Sequence, residues 1–260
     1  MNPMSEKTSV MAPFILMLFL YFIVGLFTVI NQQFQVPLKS ALLPHDGNMT
    51  NALVTLLNFS WFLAYPFSEG FATRWVDRLG YRKTSVYSLL IFIAGLGFYE
   101  AAVLLHIYAP SYITIMGNPI FTGFFVFLSG SFVIGMAVTI LQVVTGLYLD
   151  VNPVGKTTPL QRQMIGGTTN SIGMAIGPLV VSYVIFYGIP LHNVQSREFI
   201  WPVICLIAII CIFTLITARI KMPAINVAIR PTTRSFSKSI WSFPQLRLGV
   251  IGIICCVGLE

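Results

Sequence analysis

The chain has 260 residues, of which 56% are hydrophobic and only 9% are charged, and its mean hydropathy is +0.84. Several apolar runs are long enough to cross a bilayer, so this composition predicts a polytopic α-helical membrane protein and excludes the soluble fold classes. The net charge of +7 is spread over short clusters beside apolar runs, which indicates membrane topology and argues against nucleic-acid binding.

Six apolar runs predict six membrane-spanning helices, because each is long enough at about 1.5 Å per residue for a hydrocarbon core of roughly 30 Å. The predicted spans are residues 12–37, 51–73, 84–106, 119–149, 164–187 and 199–218. We therefore expect one six-helix transmembrane domain over residues 1–218. A basic segment without an acidic residue follows at 219–247 and predicts a cytoplasmic linker on the anionic inner leaflet. Residues 248–260 are predicted to form the start of a truncated seventh helix.

A cluster of charges at residues 74–83, RWVDRLGYRK, separates the second and third spans. The positive-inside rule predicts that this short loop is cytoplasmic. With the loop inside, all of the 15 Lys and Arg residues except Lys39 and Arg197 fall on the cytoplasmic side. The sequence thus predicts a multi-pass protein of the inner membrane with a cytoplasmic N-terminus.

Polar side chains inside the spans are the candidates for a binding site, because they are costly in a membrane interior. Amides offer both donors and acceptors, and with an aromatic face nearby they suit a neutral, hydroxyl-rich ligand such as a sugar. For each residue the alternative is an interhelical hydrogen bond. The first span carries a polar run of Asn31, Gln32, Gln33 and Gln35. The candidate binding residues are Gln32, Gln33, Asn58, Trp61, Gln142, Thr145 and Asn170.

One intramembrane acid, Glu100, is the candidate for a proton-coupling residue; the alternative is a carboxylate that is paired or that reaches the outer interface. The sequence contains no Ser/His/Asp set, no metal-spaced His pair and no nucleotide-binding fingerprint. We therefore expect no enzyme, no metal and no cofactor.

The charged loop resembles the connection between helices 2 and 3 of the major facilitator superfamily. Its matching residues are Asp77, Arg78, Gly80, Arg82 and Lys83, while Thr73 stands where that motif often has Gly. The resemblance implies a gate whose charges pair in one conformation and separate in the other. The alternative is a solvated loop that only sets topology.

Three further segments resemble the fucose permease family of sugar symporters within that superfamily: INQQFQVPLK, ILQVVTGLYLDVNPVG and LQRQMIGGTTNSIG. This chain has Gln33 and Gln142 where the family has acidic residues, and Gly146, Leu147 and Gly167 depart from it as well. An amide cannot titrate. The resemblance therefore implies the major facilitator fold, with two inverted three-helix repeats, and a sugar-like substrate, but it leaves proton coupling open.

Together these features predict a secondary active or facilitative transporter of a monosaccharide similar to fucose, glucose or galactose, working by alternating access. Gln33, Gln142 and Asn170 would line one half of a central cavity, and the C-terminal half of the same transporter would supply the other. The alternatives are a carrier of another neutral solute, such as a nucleoside or an amino sugar, and a non-transporting membrane receptor. The sequence leaves open which solute is bound and whether a proton, sodium or no ion is coupled.

Overall fold

The computed structural model describes residues 3–43, 48–115 and 118–222, together with Pro244 and Leu248. The chain divides into two compact units, Met1–Ala224 and Ile225–Glu260, and nearly all of the described residues belong to the first. The predicted linker and seventh helix lie almost wholly outside the described residues, so both stay predictions.

Helices make up most of the first unit. They are α1 Pro3–Gln33, α2 Gln35–Leu42, α3 Asn48–Tyr108, α4 Gly123–Val151, α5 Pro159–Leu179 and α6 Ile200–Arg219. A π-helical turn, Val180–Ile185, continues α5, and two 3-10 turns, Leu191–Asn193 and Ser196–Phe199, precede α6. Five helical segments of the described chain are long and apolar enough to cross a membrane. This confirms the prediction of a helical membrane protein at the level of its class.

Helix α3 consists of two helices that meet at Gly80, where φ is 80° and ψ is 168°. Only glycine adopts this region of backbone space readily. The rings of Trp75 and Tyr87 lie 6.3 Å apart, whereas twelve positions of straight helix would separate them by about 18 Å. The chain therefore reverses at Gly80, and we name the two arms α3a (48–79) and α3b (81–108).

The predicted loop at residues 74–83 is much shorter than expected. All of its residues except Gly80 continue one helical arm or the other. The reason is that Arg, Lys and Asp do not break a helix, whereas a glycine with positive φ does.

Replacing Gly80 with alanine is expected to lower the free energy of unfolding by about 1–2 kcal/mol, because a Cβ is strained at this φ and ψ. Steric overlap does not contribute, since no atom lies within 4 Å of the position that the Cβ would take. Gly97→Ala is the matched control, because Gly97 is also open within 4 Å but has an ordinary helical backbone. Thermal unfolding in detergent measures both; equal stabilities of the two variants would contradict the prediction.

Several predicted span limits differ from the structure. The first span does not end at Pro37, because the chain breaks briefly at Phe34 and continues as α2 to Leu42. Pro37 lies in the first turn of α2, where its missing N–H costs nothing. The fourth span begins at Gly123 rather than at residue 119.

An unpredicted antiparallel β-hairpin precedes α4. Its strands are β1 Tyr112–Ile115 and β2 Asn118–Phe121, with Tyr112 opposite Phe121. β-Branched and aromatic residues favour strands, and they pair here because the segment lies outside the long apolar helices. The fifth span changes to π-helical geometry just after Pro178, whose missing N–H disturbs the regular ladder.

Helix α4 lies at the centre of the unit and packs against α1, both arms of α3 and α5. Small residues permit this close approach. A Cβ on Gly135 would lie 2.6 Å from the Trp61 carbonyl oxygen of α3a, and one on Gly130 would lie 3.0 Å from the Gly95 carbonyl oxygen of α3b. The Ser60 hydroxyl adds a hydrogen bond to the Leu128 carbonyl at 2.9 Å.

Contacts between distant segments identify which connections share an end of the bundle. The Ser196 hydroxyl donates to the Ala41 carbonyl at 2.9 Å and lies 2.8 Å from His106 Nδ1. The end of α2, the end of α3b and the segment before α6 therefore meet, and we call this the Ser196 end. Elsewhere the ring of Tyr81 packs edge-on against Tyr148, with centroids 5.3 Å apart. The Gly80 turn and the end of α4 thus share the other end, which we call the Gly80 end.

Candidate functional site

Two of the predicted binding residues make hydrogen bonds inside the bundle. The Asn170 side chain is half-buried, and its Nδ2 donates to the Tyr21 carbonyl at 3.0 Å. Gly25 allows this approach, since a Cβ there would overlap the Asn170 carbonyl oxygen. Thr145 is buried, and its hydroxyl bonds to carbonyls of its own helix, at Leu141 (2.8 Å) and Gln142 (3.0 Å). Among the described residues no donor reaches the Asn170 side-chain oxygen, whereas the Thr145 hydroxyl has already donated its hydrogen.

Three predicted glutamines have no side-chain hydrogen bond within the described part of the chain. Gln32 is exposed, and Gln33 and Gln142 are half-buried. On α1 the helical repeat puts Gln32 on the face of Thr28, whereas Gln33 is rotated by about 100° onto the face of Val29. Val29 packs against Gly177 of α5. Gln32 and Gln33 therefore point in directions about 100° apart, and their predicted role in binding stays a prediction.

Asn31 is the centre of a buried hydrogen-bond network. It is 2% exposed, and its Oδ1 accepts from the hydroxyls of Tyr99 and Ser131, both at 3.1 Å. Its Nδ2 lies 3.4 Å from the Oδ1 of Asn58. The network joins α1, both arms of α3 and α4. Asn58, a predicted binding residue, therefore contacts a side chain of another helix. Asn31 was not among the predicted binding residues and was noted only as part of a polar run.

Replacing Asn31 with leucine is expected to lower the free energy of unfolding by about 2 kcal/mol, because the buried Tyr99 and Ser131 hydroxyls lose their acceptor. Gln32→Leu is the matched control for stability, since Gln32 is exposed and its amide is unbonded within the described chain. Chemical unfolding in detergent compares the two. A leucine at position 31 that is tolerated as well as one at position 32 would show that the network contributes nothing.

Trp61 is 1% exposed, and its indole Nε1 has no hydrogen-bond partner among the described residues. A buried donor without an acceptor costs about 1–3 kcal/mol. The hydroxyl of Tyr65, one helical turn along α3a, lies beside the Trp61 indole and the Thr28 hydroxyl. Trp61 was predicted from the sequence as a binding residue, whereas Tyr65 and Thr28 were not, although the spacing of four from Trp61 to Tyr65 indicates a shared helix face.

A cavity of about 770 Å³ with mixed polar and apolar walls lies near the Ser196 end, and this volume is within the range of small-molecule sites. None of the predicted binding residues lines it. Its walls come from α2, the start of α3a and the segment before α6: Gln35, Val36, Lys39, Ser40, Leu43, Asn51, Val54, Thr55 and His192.

The charged residues of the predicted gate, Asp77, Arg78, Arg82 and Lys83, are all exposed around Gly80. Glu100 is half-buried on α3b, and its Oε2 is buried without a hydrogen-bond partner among the described residues. Its role in coupling stays a prediction. Within the ranges that the structure describes, no three His, Cys, Asp or Glu side chains lie close enough to hold a metal ion.

Arg162 is a structural residue that sequence reasoning missed. It is 3% exposed, and its guanidinium donates to three backbone carbonyls: Nε to Leu149 (2.6 Å), Nη2 to Asp150 (2.8 Å) and Nη1 to Thr157 (2.7 Å). The residue ties the end of α4 to the start of α5. This role could not be predicted from the sequence, because an arginine next to a span indicates membrane topology.

Comparison with known proteins finds distant relatives. Over 247 residues the chain is 26% identical to proteins called glucose/galactose transporter from Brucella abortus biovar 1 (strain 9-941) and from Brucella abortus (strain 2308). The match covers 93% of this chain and 54% of each relative, so the chain spans about half the length of the curated relatives it matches. No family model and no solved structure matches it significantly. Both relatives are named for transport, which agrees with the expectation that the chain is not an enzyme, and the similarity extends over nearly all of its length.

Proposed function

We propose that the chain forms one half of a membrane carrier that moves a monosaccharide by alternating access. The observation that carries the proposal is its similarity, over nearly its whole length, to about half of two glucose/galactose transporters. Its helices support the proposal, because five segments are long enough to span a membrane and one of them reverses at Gly80. We further propose that the chain crosses the membrane six times and that these six helices form two inverted three-helix repeats of the major facilitator fold.

The orientation is part of the proposal. Arg74, Arg78, Arg82 and Lys83 surround the Gly80 turn, and Lys156 follows α4 at the same end. The Ser196 end carries Lys39 and Arg197. The positive-inside rule then makes the Gly80 end cytoplasmic, in an inner membrane, with the N-terminus on the same side.

The sugar would bind to polar groups that the bundle leaves unsatisfied. Gln142 has a free amide, and Asn170 has a free side-chain oxygen within the described chain. Amides bind hydroxyl groups as donors and as acceptors without requiring charge. The remaining half of the transporter would close the cavity from the opposite side.

The cavity near the Ser196 end would serve as the outer vestibule. Its lining mixes amides, hydroxyls, a lysine and a histidine with three aliphatic side chains. Such a surface holds a hydrated sugar weakly before the sugar enters the bundle.

Equilibrium binding tests the proposal. The purified chain in lipid nanodiscs is incubated with radiolabelled galactose or glucose, and fucose, glucosamine and uridine are added as competitors. We expect competition by hexoses and none by uridine. Competition by uridine alone would replace the sugar with a nucleoside, and competition by glucosamine alone would replace it with an amino sugar.

Transport is tested with a fusion of the chain to the part of the Brucella transporter that it does not match, reconstituted in proteoliposomes. Accumulation driven by a proton gradient, abolished by Glu100→Gln, would indicate a symporter that uses Glu100. Equilibration without accumulation would indicate a facilitator, as the neutral Gln33 and Gln142 favour. Hexose binding without any counterflow would favour a receptor.

Gln142→Leu is expected to weaken hexose binding about tenfold, because it removes both the donor and the acceptor of the free amide. Asn193→Leu is the matched control, since Asn193 is exposed near the Ser196 end and outside the proposed cavity. The dissociation constants of both variants are measured in the same nanodisc assay. An unchanged affinity of the Gln142 variant would remove this residue from the site.

A further inference from the structure

An apolar groove lies between α1, the π-helical turn and α6. It has a volume of about 240 Å³, and the described residues that line it include no charged side chain. Ile30 and Ile210 on its floor are buried, whereas Val184 on its rim is 64% exposed. The groove is lined by neither Gln142 nor Asn170, so it is separate from the proposed sugar site.

The groove is as long as one leaflet of a bilayer is thick. It extends along α1 from Phe19 to Ile30 and along α6 from Pro202 to Phe213, which is about 16 Å on each helix at about 1.5 Å per residue. The hydrocarbon core is roughly 30 Å thick, so one leaflet contributes about 15 Å. The groove begins at the Ser196 end, just inside the start of α6. The stacked rings of Phe19 and Phe213, with centroids 4.6 Å apart, close its other end.

The width of the groove decides between possible occupants. A volume of about 240 Å³ over a length of about 16 Å gives a mean cross-section of about 15 Å². An α-helix with its side chains is about 10–12 Å across, which is a cross-section of roughly 80–110 Å², so no helix fits inside the groove. Carbon atoms in contact are about 4 Å apart, so a single hydrocarbon chain has a cross-section of about 13 Å². The groove therefore fits one acyl chain.

Tyr187 lies at the open end of the groove and has a strained backbone. Its φ is 51°, in the left-handed region that favours glycine. The N–H groups on either side fix this conformation, because Phe186 donates to the Val181 carbonyl at 3.0 Å and Gly188 donates to the Ser182 carbonyl at 2.7 Å. Strain of this kind persists at ligand clamps, where the surrounding structure imposes it. The side chain lines the groove and is 75% exposed, and membrane tyrosines of this kind lie at the level of the lipid headgroups.

Gln33 lies at the same end of the groove. It follows Leu26, which lines the groove, by seven positions, and this spacing leaves the two side chains about 20° apart around α1. Gln33 is half-buried, and its amide has no hydrogen bond within the described part of the chain. The amide of Gln33 and the phenol of Tyr187 can both donate to oxygen atoms. An apolar channel thus ends in two hydrogen-bond donors.

We propose that this groove binds one acyl chain of a phospholipid from the leaflet at the Ser196 end, and that Tyr187 and Gln33 donate to the ester and phosphate oxygens of the same lipid. The two donors provide the selectivity, because an acyl chain gains little free energy by leaving the bilayer for an equally apolar groove. The site binds a lipid and not a sugar, so its test is independent of the proposed carrier function.

Photolabelling of the native chain tests the site. The chain is placed in phosphatidylcholine nanodiscs that contain phosphatidylcholine with a diazirine at one position of an acyl chain, and the labelled residues are mapped by mass spectrometry. We expect label on the buried floor, at Ile30 and Ile210, and a shift of the label towards Phe213 as the diazirine moves to the end of the acyl chain. Lipid that merely surrounds the protein would label Ile212 and Leu215, which are 55% and 66% exposed. Label on these exposed residues with none on the floor would overturn the site.

Variants at the open end of the groove test the two donors. The delipidated chain in detergent is titrated with phosphatidylcholine, and native mass spectrometry gives the dissociation constant of the bound lipid. We expect Gln33→Leu and Tyr187→Phe each to bind about tenfold more weakly. The matched controls are Gln32→Leu and Tyr183→Phe, which make the same changes at exposed residues that do not line the groove. Equal affinities of the site and control variants would overturn the selectivity of the site.

A substitution inside the groove tests where the retained lipid lies. Cys205 is exposed and lines the groove, so Cys205→Trp should fill the channel and abolish both the floor label and the bound lipid. Ile204→Trp is the matched control, because Ile204 is the neighbouring residue and is 42% exposed outside the groove. Lipid that both variants retain would overturn the groove as its site. Competition by free oleic acid as strong as that by phosphatidylcholine would overturn the phospholipid as the occupant.

Discussion

Replacing Arg162 with leucine is expected to lower the free energy of unfolding by about 3–5 kcal/mol, because three carbonyls then lose a charged donor. The guanidinium is buried, and it bonds to Leu149, Asp150 and Thr157 at 2.6–2.8 Å. Two of these carbonyls belong to the last turn of α4, where no backbone N–H can reach them. A cation at this position also compensates the negative end of the helix dipole.

The lysine variant separates charge from geometry. Lysine keeps the positive charge but lacks the planar fork that reaches three carbonyls together, so Arg162→Lys should recover only part of the loss. Arg197→Leu is the matched control, because Arg197 is exposed and its loss should change stability by less than about 0.5 kcal/mol. Chemical unfolding in detergent compares the three. A leucine at 162 as stable as one at 197 would show that the buried guanidinium is dispensable.

Replacing Gly173 with leucine is expected to cost at least about 3 kcal/mol and to separate α1 from α5. A Cβ at this position would overlap the Phe22 carbonyl oxygen, and backbone cannot move aside as a side chain can. Gly25 makes the reciprocal contact one helical turn further along α1, against the Asn170 carbonyl. The two helices therefore meet backbone to backbone.

Gly167→Leu is the control for this substitution. Gly167 lies on the same helix and is exposed, and no atom lies within 4 Å of the position of its Cβ. Thermal unfolding and the yield of monodisperse protein should fall for the variant at 173 and stay near native for the variant at 167. Equal behaviour of the two would mean that α1 and α5 do not pack as closely as the structure has them.

The membrane class and most of the spans could be predicted from the sequence. The sixth span was expected at 199–218, and the helix runs over Ile200–Arg219. The position of the reversal near Gly80 was also predicted, because charged residues interrupted the apolar pattern there. These features are local: a helix in a bilayer satisfies its own backbone, so length and hydropathy are enough to define it.

Finer backbone features could not be predicted from length and hydropathy. The β-hairpin before α4 and the π-helical turn after Pro178 were missed. Each depends on a pairing or a disturbed hydrogen bond that composition does not reveal. The continuation of the first span past Pro37 was missed because a proline in the first turn of a helix is permitted there.

The sequence alone determined that this chain has a helical membrane fold, and which polar residues lie within its spans. Helical periodicity also shows which face of its own helix each residue occupies, so that Gln32 and Gln33 point in different directions. The tertiary structure decided which of these groups have partners. Asn31 belongs to a hydrogen-bond network that joins four helices, and Arg162 is buried rather than solvated. The physical reason is that hydrogen-bond partners come from helices distant in sequence, whose packing against one another no local pattern encodes.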